Sequence, residues 1–166
     1  MGTTRSGAYI NTKGSGKRAS DFAVIHSIEG DFTKQLVKIN GKKVTRLRLT
    51  NGGHGQRGIE LLKKYGIKYN IVKTYPNGVR VGNIPNHKIK KKRRGISQSW
   101  FPTNWNRKDV KHAAEHVAGL KKNRHKADGY KMSGMYKGVR VVVVKTKGKI
   151  ATIFPDSTQP TKRRKK

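Results

Sequence analysis

The sequence predicts an α+β fold with antiparallel β-sheets. Three observations carry this reading. Apolar residues recur at helical spacing in some stretches and alternate in others, the alternating stretches come as neighbouring pairs around short turns, and neither strand–helix–strand alternation nor an internal repeat organises the 166 residues.

Taken in order, Phe22, Ala23, Ile25 and Ile28 place a helix in residues 21–32, which Gly30 ends. Residues 35–40 and 43–49 alternate apolar and polar around Asn40-Gly41, the commonest short hairpin signal. Gly52-Gly53-His54-Gly55 precedes a second helix through Ile59, Leu61 and Leu62 to Tyr65, closed by Gly66. Strands over 68–75 and 79–84 flank Pro76-Asn77-Gly78, a second hairpin. Asn106 with Asp109 three residues later marks the start of a third helix, with Val110, Ala113, Ala114, Val117 and Ala118 on one face and Gly119 at its end. A polar basic loop over 121–134 leads to strands at 139–145 and 149–154 about Lys147-Gly148. Residues 1–20 read as a flexible basic linker, 21–156 as the folded domain and 157–166 as a basic disordered tail.

Charge narrows the function. Lys and Arg number 40 against 8 Asp and Glu, a formal net charge of +32, which calls for a polyanion or an acidic protein as partner. Nucleic acid is the first expectation. A membrane partner is not expected, because no basic amphipathic helix with aromatic anchors and no long apolar run occurs. Cysteine is absent, so thiolate chemistry is ruled out. Like-charge repulsion argues for a monomer. The runs 88–94 and 121–126 are the expected phosphate-tracking patches.

With so few acids, a two-metal carboxylate site is disfavoured, and neither a GxxxxGK[ST] loop nor a GxGxxG after a strand occurs, so no cofactor is expected. His112-Ala113-Ala114-Glu115-His116 matches the HxxEH zinc pattern, but the only later acids are Asp128 and Asp156, and the two imidazoles are expected to decorate the outer face of the third helix. His87 and His125, set in basic loops, are expected to be solvated. His26 and His54 are different. Metal-independent RNA cleavage needs a base for the 2′-hydroxyl, an acid for the leaving 5′-oxygen and donors for the phosphorane oxygens; two histidines can fill the first two roles. A glycine-rich turn at His54 admits a phosphate to backbone N–H groups.

Five ordered segments resemble the bacterial EndoU nuclease domain, the kind carried at the C-terminal end of polymorphic and contact-dependent growth-inhibition toxins. They are Ile25-His26-Ser27-Ile28-Glu29-Gly30-Asp31; Asn51-Gly52-Gly53-His54; Asn77-Gly78-Val79-Arg80-Val81-Gly82; Ser99-Trp100-Phe101-Pro102-Thr103-Asn104-Trp105; and Gly148-Lys149-Ile150-Ala151-Thr152-Ile153-Phe154-Pro155. The resemblance implies an EndoU-like α+β fold of two small antiparallel β-sheets with flanking short helices, and a metal-independent endoribonuclease that leaves 2′,3′-cyclic phosphate ends. On it, His26 and His54 become the catalytic acid and base in either order, and Thr152 the third catalytic group. Ser99, with Lys92 or Arg94 upstream, is the other candidate for that third role. Gly53, Lys92, Arg94, Ser99 and Phe154 are the implied substrate contacts. Phe154 stands where many relatives carry Tyr, which leaves stacking but no hydroxyl for the base or ribose. The interval between the two histidines is long for the family, and the 35–49 hairpin accounts for it as a surface insertion.

The implied biology is RNA cleavage, with tRNA as the expected substrate, by a toxin delivered as part of a larger secreted polypeptide into the cytoplasm of a target bacterium. An acidic immunity protein protects the producing cell. Two other functions fit the composition: a non-enzymatic RNA binder of the ribosomal type, and a DNA-cleaving toxin on the same fold.

Overall fold

The computed structural model describes residues 18–161. Ser20 starts the first helix, its hydroxyl accepting the Ala23 N–H at 3.1 Å, and α1 (Asp21–Glu29) ends before Gly30. The chain turns at once into β1 (Asp31–Ile39), which pairs with β2 (Lys42–Asn51) as a two-stranded antiparallel ribbon. Asn40 and Gly41, at φ 51° and 80°, form the left-handed pair that such a tight hairpin requires. The ribbon is longer than the alternation predicts, because its root begins at Asp31 rather than at Gln35.

After α2 (Gln56–Lys64), the strands β3 (Asn70–Thr74), β4 (Arg80–Asn83) and β5 (Gln98–Trp100) make an antiparallel sheet in that order. Then α3 (Arg107–Gly119) opens on the anticipated capping box: Asp109 N–H donates to the Asn106 side chain, and the Asp109 carboxylate accepts the Asn106 N–H. The last sheet is β6 (Met132–Tyr136), β7 (Val139–Thr146) and β8 (Lys149–Pro155), again antiparallel in chain order. Two strands differ from the sequence reading. β5 lies where no strand is predicted, and β6 begins inside the expected 121–134 loop. Each is short and interrupted by Ser or Gly, so neither shows a period. Gly134 is required by packing, since a Cβ there would sit 2.6 Å from Leu120 Cδ1.

The larger core lies between α3, α1 and the β6–β8 sheet, where Val110, Ala113 and Val117 meet Val141, Val143 and Ile153, and it extends to Val79, Val81 and Phe101 of the neighbouring sheet. A second core joins α2 to the ribbon root through Leu49, Ile59, Leu62, Ile84 and Trp100. No helix among the described residues is long and apolar enough to cross a membrane.

Two positions outside the expected 21–156 domain are buried: Ala19 is 2% exposed and Gln159 is 2% exposed. Residues 1–17 of the expected linker and 162–166 of the expected tail lie outside the described residues. Gln159 is a clamp. Its Oε1 accepts from Asn77 Nδ2 (2.9 Å) and Arg140 N (2.8 Å), and its Nε2 donates to the Arg140 and Asp156 carbonyls at 2.8 Å each. Truncation leaves buried donors and acceptors without partners, so Gln159→Ala is expected to destabilise the fold by about 1–3 kcal/mol, or roughly 2–4 °C of Tm per kcal/mol. Thermal unfolding followed by circular dichroism checks this.

Candidate active site

The first contact that builds the site is backbone against backbone. The end of β2 runs into Gly52-Gly53-His54, which packs on the C-terminal half of α1: the His54 N–H donates to the Ser27 carbonyl at 2.6 Å and the Gly55 N–H to that of Ile28 at 3.1 Å. Gly52 and Gly53 take φ of 71° and 74°, and a Cβ on Gly52 would lie 2.4 Å from the His26 carbonyl oxygen. Only glycine permits that approach. It sets His54 beside the helix that carries His26, close enough for the His54 imidazole to feel the charge of His26.

Two buried serines close the site from the far end of the chain. Ser27 Oγ accepts the Ile153 N–H at 3.0 Å, tying α1 to β8, and Ser99 Oγ donates to the Pro155 carbonyl at 2.6 Å, tying β5 to β8. The Ser99 hydroxyl is therefore engaged in the framework, and it is the Ser99 carbonyl that faces the histidine: His54 Nδ1 lies 2.8 Å from it. A carbonyl only accepts, so the proton sits on Nδ1 and the lone pair on Nε2. Phe154 packs against the same ring, centroids 5.4 Å apart. Thr152, half-buried, stands two residues earlier in β8 and so on the same face of the strand as Phe154.

Electrostatics separate the two histidines. Burial above all, then the Lys92 ammonium, holds the His54 pKa down at about 3, so the ring is neutral at pH 7. His26 differs in its neighbour: its Nδ1 lies 3.0 Å from an Asp31 carboxylate oxygen, within ion-pair distance but without hydrogen-bond geometry. Lys92 sits in a short 3-10 helix, Lys90–Arg93, with Nζ 6.0 Å from the Phe154 ring centre. Burial and then the neighbouring Lys91 and Lys131 lower its pKa to about 8. Of the predicted residues the structure thus gathers His26, Gly53, His54, Lys92, Ser99, Thr152 and Phe154 around one region. Arg94, by contrast, is exposed, and its carbonyl accepts from Ser97 Oγ at 2.8 Å.

His87 corrects the sequence reading. It is 1% exposed rather than solvated. Its Nδ1 accepts the Ile89 N–H at 2.9 Å, its carbonyl accepts Arg93 Nε at 2.6 Å, and its N–H donates to the Ile84 carbonyl at 2.9 Å. A loop rich in donors and poor in acceptors uses the neutral imidazole as an acceptor, and His87 thereby braces the turn that carries Lys92. Burial, then Lys92, depresses its pKa to about 4. Nothing in the local sequence separates it from His125. In α3, His112 and His116 are exposed, and Glu115 accepts the Ala19 N–H at 3.0 Å and pairs with Lys111 at 3.7 Å. Among the described residues no group of three His, Asp or Glu side chains converges.

The chain belongs to the bacterial EndoU nuclease family, whose model matches residues 21–157 of the 166. It is therefore a nuclease domain, with nucleic acid as its substrate. Neither a curated protein nor a solved structure matches it.

The two buried neutral histidines have a consequence for stability. Unfolded, each ring has a pKa near 6.5; folded, the values are about 3 and about 4. Between these limits the unfolded chain binds protons that the folded chain does not, so stability is full above about pH 6.5 and declines as pH falls toward 4. Tm at about pH 4.5 is expected to be at least about 5 °C below that at pH 7. His87→Asn, which offers an oxygen to the Ile89 N–H but does not titrate, should flatten that dependence; an equal slope in both proteins would contradict the assignment.

Proposed function

We propose that the domain is a metal-independent endoribonuclease whose base is His54 and whose acid is His26. The observation that carries this reading is the His54 Nδ1 contact with the Ser99 carbonyl, which leaves the lone pair of a neutral ring on Nε2, in a site that also holds the Lys92 cation. His54 Nε2 takes the 2′-hydroxyl proton, O2′ attacks phosphorus, and His26, supported by Asp31, protonates the departing 5′-oxygen. The products are a 2′,3′-cyclic phosphate and a free 5′-hydroxyl. The Lys92 ammonium and the Thr152 hydroxyl supply donors to the phosphorane oxygens. Phe154 offers a face for a base to stack on. A phosphate seated against Lys92 offsets that ammonium's share of the His54 shift, the smaller share after burial.

The charge of +32 supports a substrate held through many phosphates, tRNA being the natural case, and an acidic immunity protein steered by the same field. Family membership supports a toxin domain delivered on a larger polypeptide into the cytoplasm of a target cell.

The test is incubation of the domain with tRNA in excess EDTA. Fragments with cyclic phosphate ends are expected, with His26→Ala and His54→Ala each slowed by about 10²- to 10⁴-fold. Intact RNA, or cleavage that persists when deoxyribose replaces the ribose at the cut site, overturns the mechanism.

A second measurement addresses Lys92. Its ammonium is lost as pH rises through about 8, so kcat/KM, which reports the free enzyme, should fall above that pH. In Lys92→Arg the guanidinium stays charged, so the fall that Lys92 adds above about pH 8 should disappear even where the maximal rate is reduced, while the limb set by the general acid remains.

A further inference from the structure

The ribbon of β1 and β2 leaves the body of the protein. Phe32, Leu47 and Leu49 at its root pack into the second core; beyond them Leu36 is 64% and Val44 38% exposed. From Phe32 to Ile39 the strand rises about 24 Å at roughly 3.4 Å per residue. Among the described residues no third strand joins it, and beyond the root its side chains are largely exposed.

Its charge is of one sign. Lys34, Lys38 and Lys43 lie on one face, and Lys42, Arg46 and Arg48 on the other, as the register shows. Lys38 stands directly opposite Lys43, a pairing of like charges that destabilises a sheet. No acid occurs between Asp31 and Glu60. Guarding open edges against aggregation explains lysines on a ribbon, but Lys and Glu together would guard as well and add cross-strand ion pairs. The opposed lysines point to a polyanion that relieves the repulsion. The ribbon root also abuts the loop that carries Lys92: Asn86 Nδ2 donates to Gln35 Oε1 at 2.9 Å, and the Lys88 N–H donates to the Leu49 carbonyl at 3.0 Å. One basic track therefore runs from the candidate active site to the ribbon tip.

We propose that this ribbon is a second RNA-binding arm, which grips the phosphate backbone of a helical segment of the substrate some distance from the scissile phosphate. The inference rests on the ribonuclease reading. Cations on both faces suit a groove edged by two rows of phosphates, and the apolar Leu36 and Val44 rungs carry no group that reads a base, so the grip is independent of sequence. A tetranucleotide fills the active site without reaching the arm; a folded RNA engages both.

The test compares the wild type with Lys38→Gln/Lys42→Gln/Lys43→Gln/Arg46→Gln on two substrates, a single-stranded tetranucleotide and tRNA. The variant is expected to cleave the tetranucleotide at the wild-type kcat/KM and tRNA at about 10- to 100-fold lower kcat/KM, mainly through KM. In the His54→Ala background, binding to a plain RNA duplex should lose about 3 from its log–log salt slope, four cations at about 0.7–0.9 each. A ribbon shortened by deleting 36–39 and 42–45, which joins Gln35 to Arg46 through the native Asn40-Gly41 turn, should behave alike and guards against an effect of misfolding. Equal loss on both substrates, or unchanged tRNA cleavage with an unchanged salt slope, overturns the proposal; the latter is the result for an arm that serves an acidic protein instead. If the wild type cleaves neither substrate, the ribonuclease reading fails while the duplex salt slope still decides whether the arm binds RNA.

Discussion

The close approach of β2's end to α1 is the constraint on which the site depends. Hydrogen bonds from His54 and Gly55 to the carbonyls of Ser27 and Ile28 hold two segments of chain together at a distance that excludes any side chain larger than hydrogen at Gly52. From that contact the rest follows. His54 is carried inward, where burial keeps it neutral; Ser27, one residue after His26, is free to receive the Ile153 N–H; and β8 then lies across the opening with Phe154 against the imidazole. Loosening the glycine contact would separate the histidines and move the strand that lines them at the same time.

The electrostatic design works against the protein's own composition. In a chain with five times as many bases as acids, His54, His87 and Lys92 are all depressed, each by burial first and by neighbouring cations second. The scarce acids are placed where they act. Asp31 faces His26, and Asp109 caps α3 while accepting Lys137 at 2.9 Å. An incoming polyanion therefore relieves a strain already present in the free fold.

How much of this was legible depends on whether the determining interactions are local. The α3 capping box and the Asn40-Gly41 turn involve residues within three positions of one another, and their signals in the sequence match what forms. β5 is a strand because Val81 and its neighbours pair with Ser99, a tertiary fact that three residues cannot announce. The pairing of His26 with His54 was readable only through the order of the family's motifs, since 28 positions of separation carry no geometric information. Within 88–94 the basic residues look alike in sequence; the 3-10 turn selects Lys92 to face inward and leaves Arg94 outside. His87 was missed for the same reason, because its burial depends on a loop folding back over β2.

The latch between Ser27 and Ile153 spans 126 positions of the chain. Both residues of β8 that line the site, Thr152 and Phe154, are among the last part of the domain to be synthesised, and Gln159 clamps the chain just beyond them. A ribosome making this domain therefore produces both histidines well before the strand that lies against them, and the candidate site is complete only once β8 has emerged and docked.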